Sequence, residues 1–293
     1  IRLSKIVPEG SAEVLVKYEG VNIGGSIKTR TAYNMICDAE EKGIIHSNTI
    51  IVEPTSGNQG IGLALIGAVR GYRVRIIMPD SVSEERRKLV KAYGAELVLI
   101  HDDGDIGKCI NECLQTALRM AKEDKNVWIP QQFENPANPM VHKSHTAPEI
   151  IEQVGKPIDG FCSGVGTGGT LSGIGETLKS KYPEIHIWAV EPKNAAILSG
   201  GSIGTHLQMG IGDGLIPKNL NTQIYEHIDI VTDEEAIETS RRLIREEGIL
   251  CAISSGTNVT AALRLAKELG EGKTVVTVLP DTGERYFSTV LFD

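Results

Sequence analysis

The repeated alternation of short apolar strands with amphipathic helices constrains this 293-residue chain more than any other feature. Residues 49–53 read as a buried strand, 59–69 as a helix, 73–78 as a strand, 84–93 as a helix and 96–100 as a strand. Pro79 and Gly94 stand as stops between elements. The pattern loosens after 127–130, where Pro136 and Pro139 interrupt any regular element and make a crossover. A second set follows, with strands at 158–162, 185–190 and 274–279 and helices at 170–181, 234–247 and 258–269. Strands separated by helix-length segments pair in parallel, because each crossover returns the chain to the same sheet edge. The expectation is an α/β chain of two lobes, each an open, mostly parallel sheet flanked by helices. Ligands of such sheets gather at the carboxyl ends of the strands. No internal repeat or low-complexity tract relates the two sets.

Three glycine-rich segments fall at such places. They are Gly24-Gly25-Ser26-Ile27-Lys28, Thr55-Ser56-Gly57-Asn58-Gln59-Gly60 and Gly164-Val165-Gly166-Thr167-Gly168-Gly169-Thr170. Glycine lets backbone N–H groups approach a bound anion, and the neighbouring hydroxyls add donors. The second and third segments each follow a strand and open a helix, whose N-terminus carries partial positive charge. A lysine beside two anion cradles points to a cofactor that carries both a phosphate and an aldehyde.

The net charge of −8 argues against nucleic acid or an anionic membrane surface as partner, since both call for a basic face. No apolar run approaches the ~20 residues of a spanning helix. The five cysteines form no CxxC pair and no metal-ligand set with the seven histidines, so no metal is expected and the thiols read as reduced, as in a cytoplasmic protein. Cys109 and Cys113, four apart on one helical face, read as core or surface thiols.

A rival reading rests on Gly164, Gly166 and Gly169, which spell GxGxxG after a strand, with Glu191 standing 22 residues beyond Gly169. That spacing suits an acid on the ribose of a nicotinamide dinucleotide. Thr167 and Thr170 favour a compact phosphate monoester, because their hydroxyls supply donors that a dinucleotide fingerprint leaves to backbone.

Taken together, the segments resemble the cysteine synthase and cystathionine β-synthase family of pyridoxal-phosphate enzymes. The resemblance runs through Tyr18-Glu19, Gly24 to Lys28, Thr55 to Gly60, Glu85-Arg86-Arg87, Ala92 to Ala95, Gln131-Gln132-Phe133 to Pro139, Gly166 to Thr170, Gly210-Ile211-Gly212, Ser254-Ser255-Gly256 and Pro280 to Tyr286. It implies a smaller, mobile lobe at 31–134, a larger lobe made of 1–30 with 135–293, and pyridoxal 5'-phosphate in the cleft between them. It further implies that an opening segment precedes Ile1, and that the protein is a homodimer acting on a small amino acid.

Roles follow position by position from the resemblance. Lys28 would carry the cofactor and move the Cα proton. Asn58 would hydrogen-bond the ring oxygen, Gly166, Thr167, Gly168, Gly169 and Thr170 would hold the phosphate, and Ser254 would face the pyridine nitrogen. Thr55, Ser56, Gly57, Asn58, Gln59, Gln132 and Gly210 would line the substrate site, with the Thr55 loop closing on the substrate carboxylate. Thr55 and Ser56 also suit plain N-capping of the helix that follows. A serine opposite the ring nitrogen leaves that nitrogen uncharged, so the ring is a shallow electron sink that favours loss of a β-substituent over transamination.

Three departures from the family pattern stand out: Thr29 where aspartate is common, Gln59 where threonine is common, and Asp213 where a small or apolar residue is common. Gln59 would lengthen a side chain at the substrate's edge. The resemblance puts Asp213 in a glycine loop that in this family borders the substrate's β-carbon, where a carboxylate would repel hydrosulfide and acetate and would suit a neutral water in need of a base. The sequence therefore supports β-replacement through an aminoacrylate, with L-cysteine and water giving L-serine and hydrogen sulfide. O-acetyl-L-serine sulfhydrylation to L-cysteine shares every residue except those at the nucleophile's approach. A nicotinamide-dependent oxidoreductase and a catalytically idle partner-binding relative are the readings from other classes.

Overall fold

Apolar strands covered on both faces organise the molecule. The computed structural model describes residues 1–104 and 106–293. Its first half runs β1 (Glu13–Tyr18), α1 (Lys28–Glu41), β2 (Ile50–Pro54), α2 (Asn58–Arg70), β3 (Arg73–Pro79), α3 (Glu84–Ala92), β4 (Glu96–Ile100), α4 (Ile106–Glu123) and β5 (Val127–Trp128). A short α5 (Ala137–Val141) passes through a π-type turn, His142–Thr146, into α6 (Ala147–Val154). The remainder is β6 (Gly160–Gly164), α7 (Gly169–Lys181), β7 (His186–Pro192), β8 (His227–Val231), α8 (Asp233–Glu247), α9 (Ile253–Leu269) and β9 (Thr274–Leu279).

The residues group into two compact units. The first contains Ile1–Val21 and Pro139–Glu284. Its five strands lie in the order β1-β9-β6-β7-β8, every pair parallel. All six residues of β9 are buried, as a central strand covered on both faces requires. The second unit contains Asn22–Asn138 and Arg285–Asp293. Its four strands lie in the order β4-β3-β2-β5, again all parallel. Ile36, Ile51, Leu63, Ile76 and Met78 form the heart of its core. The α/β reading with parallel sheets flanked by helices holds.

Several elements differ from the sequence reading for identifiable reasons. Pro139 lies inside α5 and does not interrupt it, because in a first turn its missing N–H has no intrahelical partner to lose. The last long helix begins at Ile253, five residues before the reading placed it; Ser254-Ser255-Gly256 have weak helix propensity, and packing overrides it. At Gly256 an added Cβ would stand 1.9 Å from Ala236 O, so α8 and α9 touch backbone to backbone there. The unit boundaries also differ from lobes drawn at 31–134 and at 1–30 with 135–293. Residues 22–30 join the second unit because α1 starts at Lys28 and packs on α2, where an added Cβ at Gly62 would lie 2.8 Å from Lys28 O. Residues 285–293 join it through Arg285, Tyr286 and Ser288, which bond to Asn58, Arg86 and Glu85.

Candidate active site

In the second unit, the Gly24 segment and the Thr55 segment come together. Lys28 is the first residue of α1, whose N-terminus has no side-chain cap. Thr31 Oγ1 lies 3.0 Å from Lys28 O and 2.7 Å from Gln59 Oε1, tying the start of α1 to α2. Arg285, almost wholly buried, donates to both Asn58 Oδ1 and Gly24 O. One guanidinium thus cross-links the two glycine-rich segments and fixes the amide of Asn58 with its oxygen toward Arg285.

The turn from β2 into α2 is shaped for an anion. Gly57 N donates to Thr55 Oγ1 at 3.2 Å, so that hydroxyl shapes the loop and does not cap the helix, and no side chain caps α2. Arg86 backs the loop: its Nη2 donates to Tyr286 Oη at 2.7 Å, and its guanidinium carbon stands 4.7 Å from the Tyr286 ring centroid. Gln59 is 1 % exposed, its amide nitrogen 3.6 Å from Met35 Sδ, so its side chain packs between α1 and α2. What Gln59 offers an incoming carboxylate is its place in an uncapped first turn.

Gln132 is held from behind by a feature the sequence reading did not use. Glu53, at the end of β2 and 1 % exposed, accepts the N–H of Gln131 at 3.1 Å and of Gln132 at 3.2 Å. Burial raises its pKa from 4.5 to about 7, against the lowering effect of those two bonds. A lone acid in an otherwise apolar strand, Ile50-Ile51-Val52-Glu53, was the legible signal. Arg285 and Arg86 gave no such signal, since their partners lie far away in sequence.

In the first unit, the third glycine segment leaves β6 and enters α7. Gly164 N donates to Asn258 Oδ1 at 2.7 Å, Val165 N to Val190 O at 3.0 Å and Gly212 N to Val165 O at 3.0 Å. An added Cβ at Gly166 would stand 2.4 Å from Gly210 O, and at Gly168, which has φ +78°, 2.8 Å from Leu220. The cap position of α7 is Gly168, with no side-chain cap. Ser254 is in the first turn of α9, one turn before Asn258, and that helix is also uncapped by side chains. Asn258, itself buried, donates to Val278 O at 2.7 Å. The loop 166–170 and the hydroxyl of Ser254 are thereby braced to one frame.

The loop 210–214 lies over this segment. Gly210, Gly212 and Gly214 all have positive φ, at 91°, 69° and 77°. His206 Nε2 is 3.1 Å from Gly212 O. Asp213 Oδ2 would be 3.4 Å from a Cβ at Gly166, so the Asp213 carboxylate sits against the glycine loop.

The GxGxxG reading fails on Glu191. Its carboxylate is 2 % exposed and accepts from Leu198 N at 2.8 Å, Ser199 N at 3.0 Å and the Ser199 hydroxyl, so it closes a loop of its own chain and faces no ribose.

Each unit by itself holds groups that fit a phosphorylated pyridine aldehyde: the first has a helix N-terminus left open by glycine, with threonines in the loop and first turn, and a hydroxyl in the first turn of α9; the second has a lysine at the start of α1 and an oriented amide at the start of α2. The family model described as pyridoxal-phosphate dependent enzyme matches residues 1–281. The chain belongs to the pyridoxal-phosphate-dependent enzymes. Within that family it is similar to a curated cysteine synthase of Staphylococcus aureus, 52 % identical over 296 residues, covering 100 % of this chain and 93 % of that one. The structure of an O-ureido-L-serine synthase matches with TM-score 0.94 at 42 % identity, covering 100 % of this chain and 91 % of that chain. That of a hydrogen sulfide-producing enzyme from Fusobacterium nucleatum matches with TM-score 0.92 at 40 % identity, covering 98 % and 95 %. This family member is therefore a cysteine synthase-like enzyme of β-replacement and β-elimination, of the fold type II architecture, and its cofactor is pyridoxal 5'-phosphate. No helix among the described residues is long and apolar enough to cross a membrane.

Proposed function

We propose that the enzyme exchanges sulfur for oxygen at the β-carbon, converting L-cysteine and water into L-serine and hydrogen sulfide. The observation that carries this reading is the Asp213 carboxylate, which lies against Gly166 in a loop pinned through Gly212 N to Val165 O. A carboxylate there repels hydrosulfide and supplies a base for a neutral nucleophile.

When bound, pyridoxal phosphate accepts the electron pair left at Cα and so allows the β-substituent to leave. Lys28 would hold it until the substrate amine takes its place, the α7 N-terminus with Thr167 and Thr170 would take the phosphate, Asn58 would hydrogen-bond the ring oxygen, and the Ser254 hydroxyl would meet the ring nitrogen. The uncapped N-terminus of α2, with Thr55, Ser56 and Gly57, and the side chain of Gln132 orient the substrate carboxylate. Lys28 removes the proton from Cα. The Cβ–S bond breaks with its electron pair on sulfur, and the hydrosulfide that leaves becomes hydrogen sulfide with the proton that Asp213 receives from water and releases. Asp213 takes a proton from water as the Cβ–O bond forms, and Lys28 returns a proton to Cα. Atoms balance: one water enters and one hydrogen sulfide leaves.

The test is Asp213→Asn with the cofactor loaded. Serine formation from L-cysteine falls by a factor of about 10² to 10³, while cofactor binding is unchanged. Unaltered serine formation refutes the base assignment. A second reading, O-acetyl-L-serine sulfhydrylation, draws support from the cysteine synthase of Staphylococcus aureus, 52 % identical to this chain. In that case O-acetyl-L-serine with sulfide is turned over much faster than L-cysteine with water. The resemblance also supports a homodimer, for which sedimentation returns twice the mass of the 293-residue chain.

A further inference from the structure

Gln131 is, among the described residues, the one non-glycine with positive φ, at 59°. A glutamine pays a conformational penalty there, and what the strain achieves is visible in the N–H groups. With one residue in the left-handed region, successive N–H groups point to one side and form a concave anion site. Here the anion is the chain's own Glu53, with Oε2 on Gln131 N and Oε1 on Gln132 N. The rest of the segment closes on itself: Glu134 N and Asn135 N each donate to Gln131 O at 2.9 Å, Asn138 Nδ2 donates to Gln132 O at 2.8 Å, and Asn135 Nδ2 donates to Pro130 O at 3.0 Å. Glu53 thus ties this segment to β2. Two residues further along, β2 becomes the Thr55 loop.

We infer that Glu53 is a positioning residue that locks Gln132 against the Thr55 loop, so that both halves of the substrate-carboxylate site are held together most firmly while Glu53 is ionised. The inference rests on the reading of Gln132 as a carboxylate ligand. Ionised, each Glu53 oxygen accepts one N–H. Protonated, one oxygen becomes a hydroxyl and a poor acceptor, and one of the two backbone bonds weakens. With a pKa near 7, the lock opens as pH falls through neutrality.

The groups around Glu53 leave this titration to it alone. On β3 the residue opposite Glu53 is Ile76; Arg75 lies opposite Val52, on the other face of β2, and pairs with Glu96 of β4 at 2.5 Å. The turn that holds Gln131 and Gln132 also carries Glu134. None adds a charge–charge effect to Glu53, whose shift is due to burial and the two N–H groups. The sign for stability opposes the sign for function. A carboxyl raised above its unfolded value stabilises the fold fully below 4.5 and loses that contribution as pH rises through about 7. A merely structural Glu53 would serve best at low pH; a positioning Glu53 serves best at high pH.

The experiment titrates cofactor-loaded enzyme with L-serine between pH 6 and 8, following the visible absorbance, with amide hydrogen exchange of the 128–134 segment measured alongside. In the wild type the dissociation constant for L-serine rises about tenfold as pH falls across that range, the effect of one charge-assisted hydrogen bond. Exchange at residues 131 and 132 quickens over the same interval after correction for intrinsic rates. Glu53→Gln keeps the weak affinity at every pH and removes the step, while Glu53→Asp retains a step. Gln132→Ala weakens binding at all pH values; if it does not, the carboxylate role of Gln132 is wrong, whereas the exchange step still reports the lock. A wild-type exchange profile flat from pH 6 to 8, or a Glu53→Gln enzyme with the wild-type affinity and step, overturns the inference.

Discussion

Two helices of the first unit begin at strand carboxyl ends and differ in how their first turns are satisfied. The N-terminus of α8 is closed by its own side chains: Thr232 Oγ1 accepts Glu235 N at 3.2 Å, and Glu235 Oε2 accepts Thr232 N at 2.9 Å, a complete capping box. The N-terminus of α7 has Gly168 at the cap and no side-chain acceptor. Both helices have the same dipole and the same orphan donors. The chain satisfies those of α8 locally and leaves those of α7 for an anion. A helix start rich in glycine after a buried strand is thus a binding element, and one that reads Thr-x-x-Glu is a structural one.

The comparison is most exposed at Gly166. In Gly166→Ala the new Cβ meets Gly210 O, a backbone atom that cannot step aside without moving the Asp213 loop. Cofactor affinity, followed by absorbance titration, falls by about 30-fold or more, as overpacking of ~2 kcal/mol or above requires. An unchanged affinity would mean that the shape of the 164–170 loop does not matter to phosphate binding.

Asn258→Ala tests the brace. It removes the acceptor from Gly164 N, which is partly buried, and the donor to Val278 O, which is buried. Stability falls by roughly 2–3 kcal/mol and cofactor affinity by about tenfold, because a partly buried N–H is left without a partner at the root of the loop. If affinity holds while stability falls, the loop is held by its own hydrogen bonds and Asn258 belongs to the core alone.

Thr232→Ala, at the closed helix, has the smallest effect on function. It lowers stability by about 1 kcal/mol and leaves cofactor affinity unchanged. This end also carries a pH signature. Burial pushes Glu235 upward, but the N–H of Thr232 and the guanidinium of Arg264 outweigh it and hold its pKa below 4.5. A carboxylate depressed in the folded state stabilises above its unfolded value and loses that contribution as pH falls through the folded one. Thermal unfolding of the wild type therefore steepens below about pH 4.5, and part of that slope disappears in Glu235→Gln.

Much of the fold was legible because strand and helix periods are local properties. β4 at Glu96–Ile100 and β9 at Thr274–Leu279 stand where the apolar runs are. β1 was missed although it alternates: it lies at the chain's start, and its partner β9 is far along the sequence. β8, His227–Val231, is short and begins and ends in mixed residues. α1 follows the lysine loop without a capping residue to announce it. The glycine segments were legible as cradles, since glycine where backbone must approach a ligand is a local signature. What was not legible is what holds them. Arg285 reaches Asn58 and Gly24 across more than two hundred residues, and Asn258 reaches Gly164 across 94. The packing of Gln59 was not legible for the same reason: its partners Thr31 and Met35 belong to a helix that the sequence did not announce.

The most direct measurement is turnover of L-cysteine by the cofactor-loaded enzyme in water enriched in oxygen-18, with serine analysed by mass spectrometry and sulfide assayed in parallel. The account predicts serine carrying one heavy oxygen at its β-hydroxyl, formed in equal amount to hydrogen sulfide, and both products suppressed together in Asp213→Asn. Sulfide released without labelled serine, or no reaction of L-cysteine beside rapid synthesis of L-cysteine from O-acetyl-L-serine and sulfide, would contradict it.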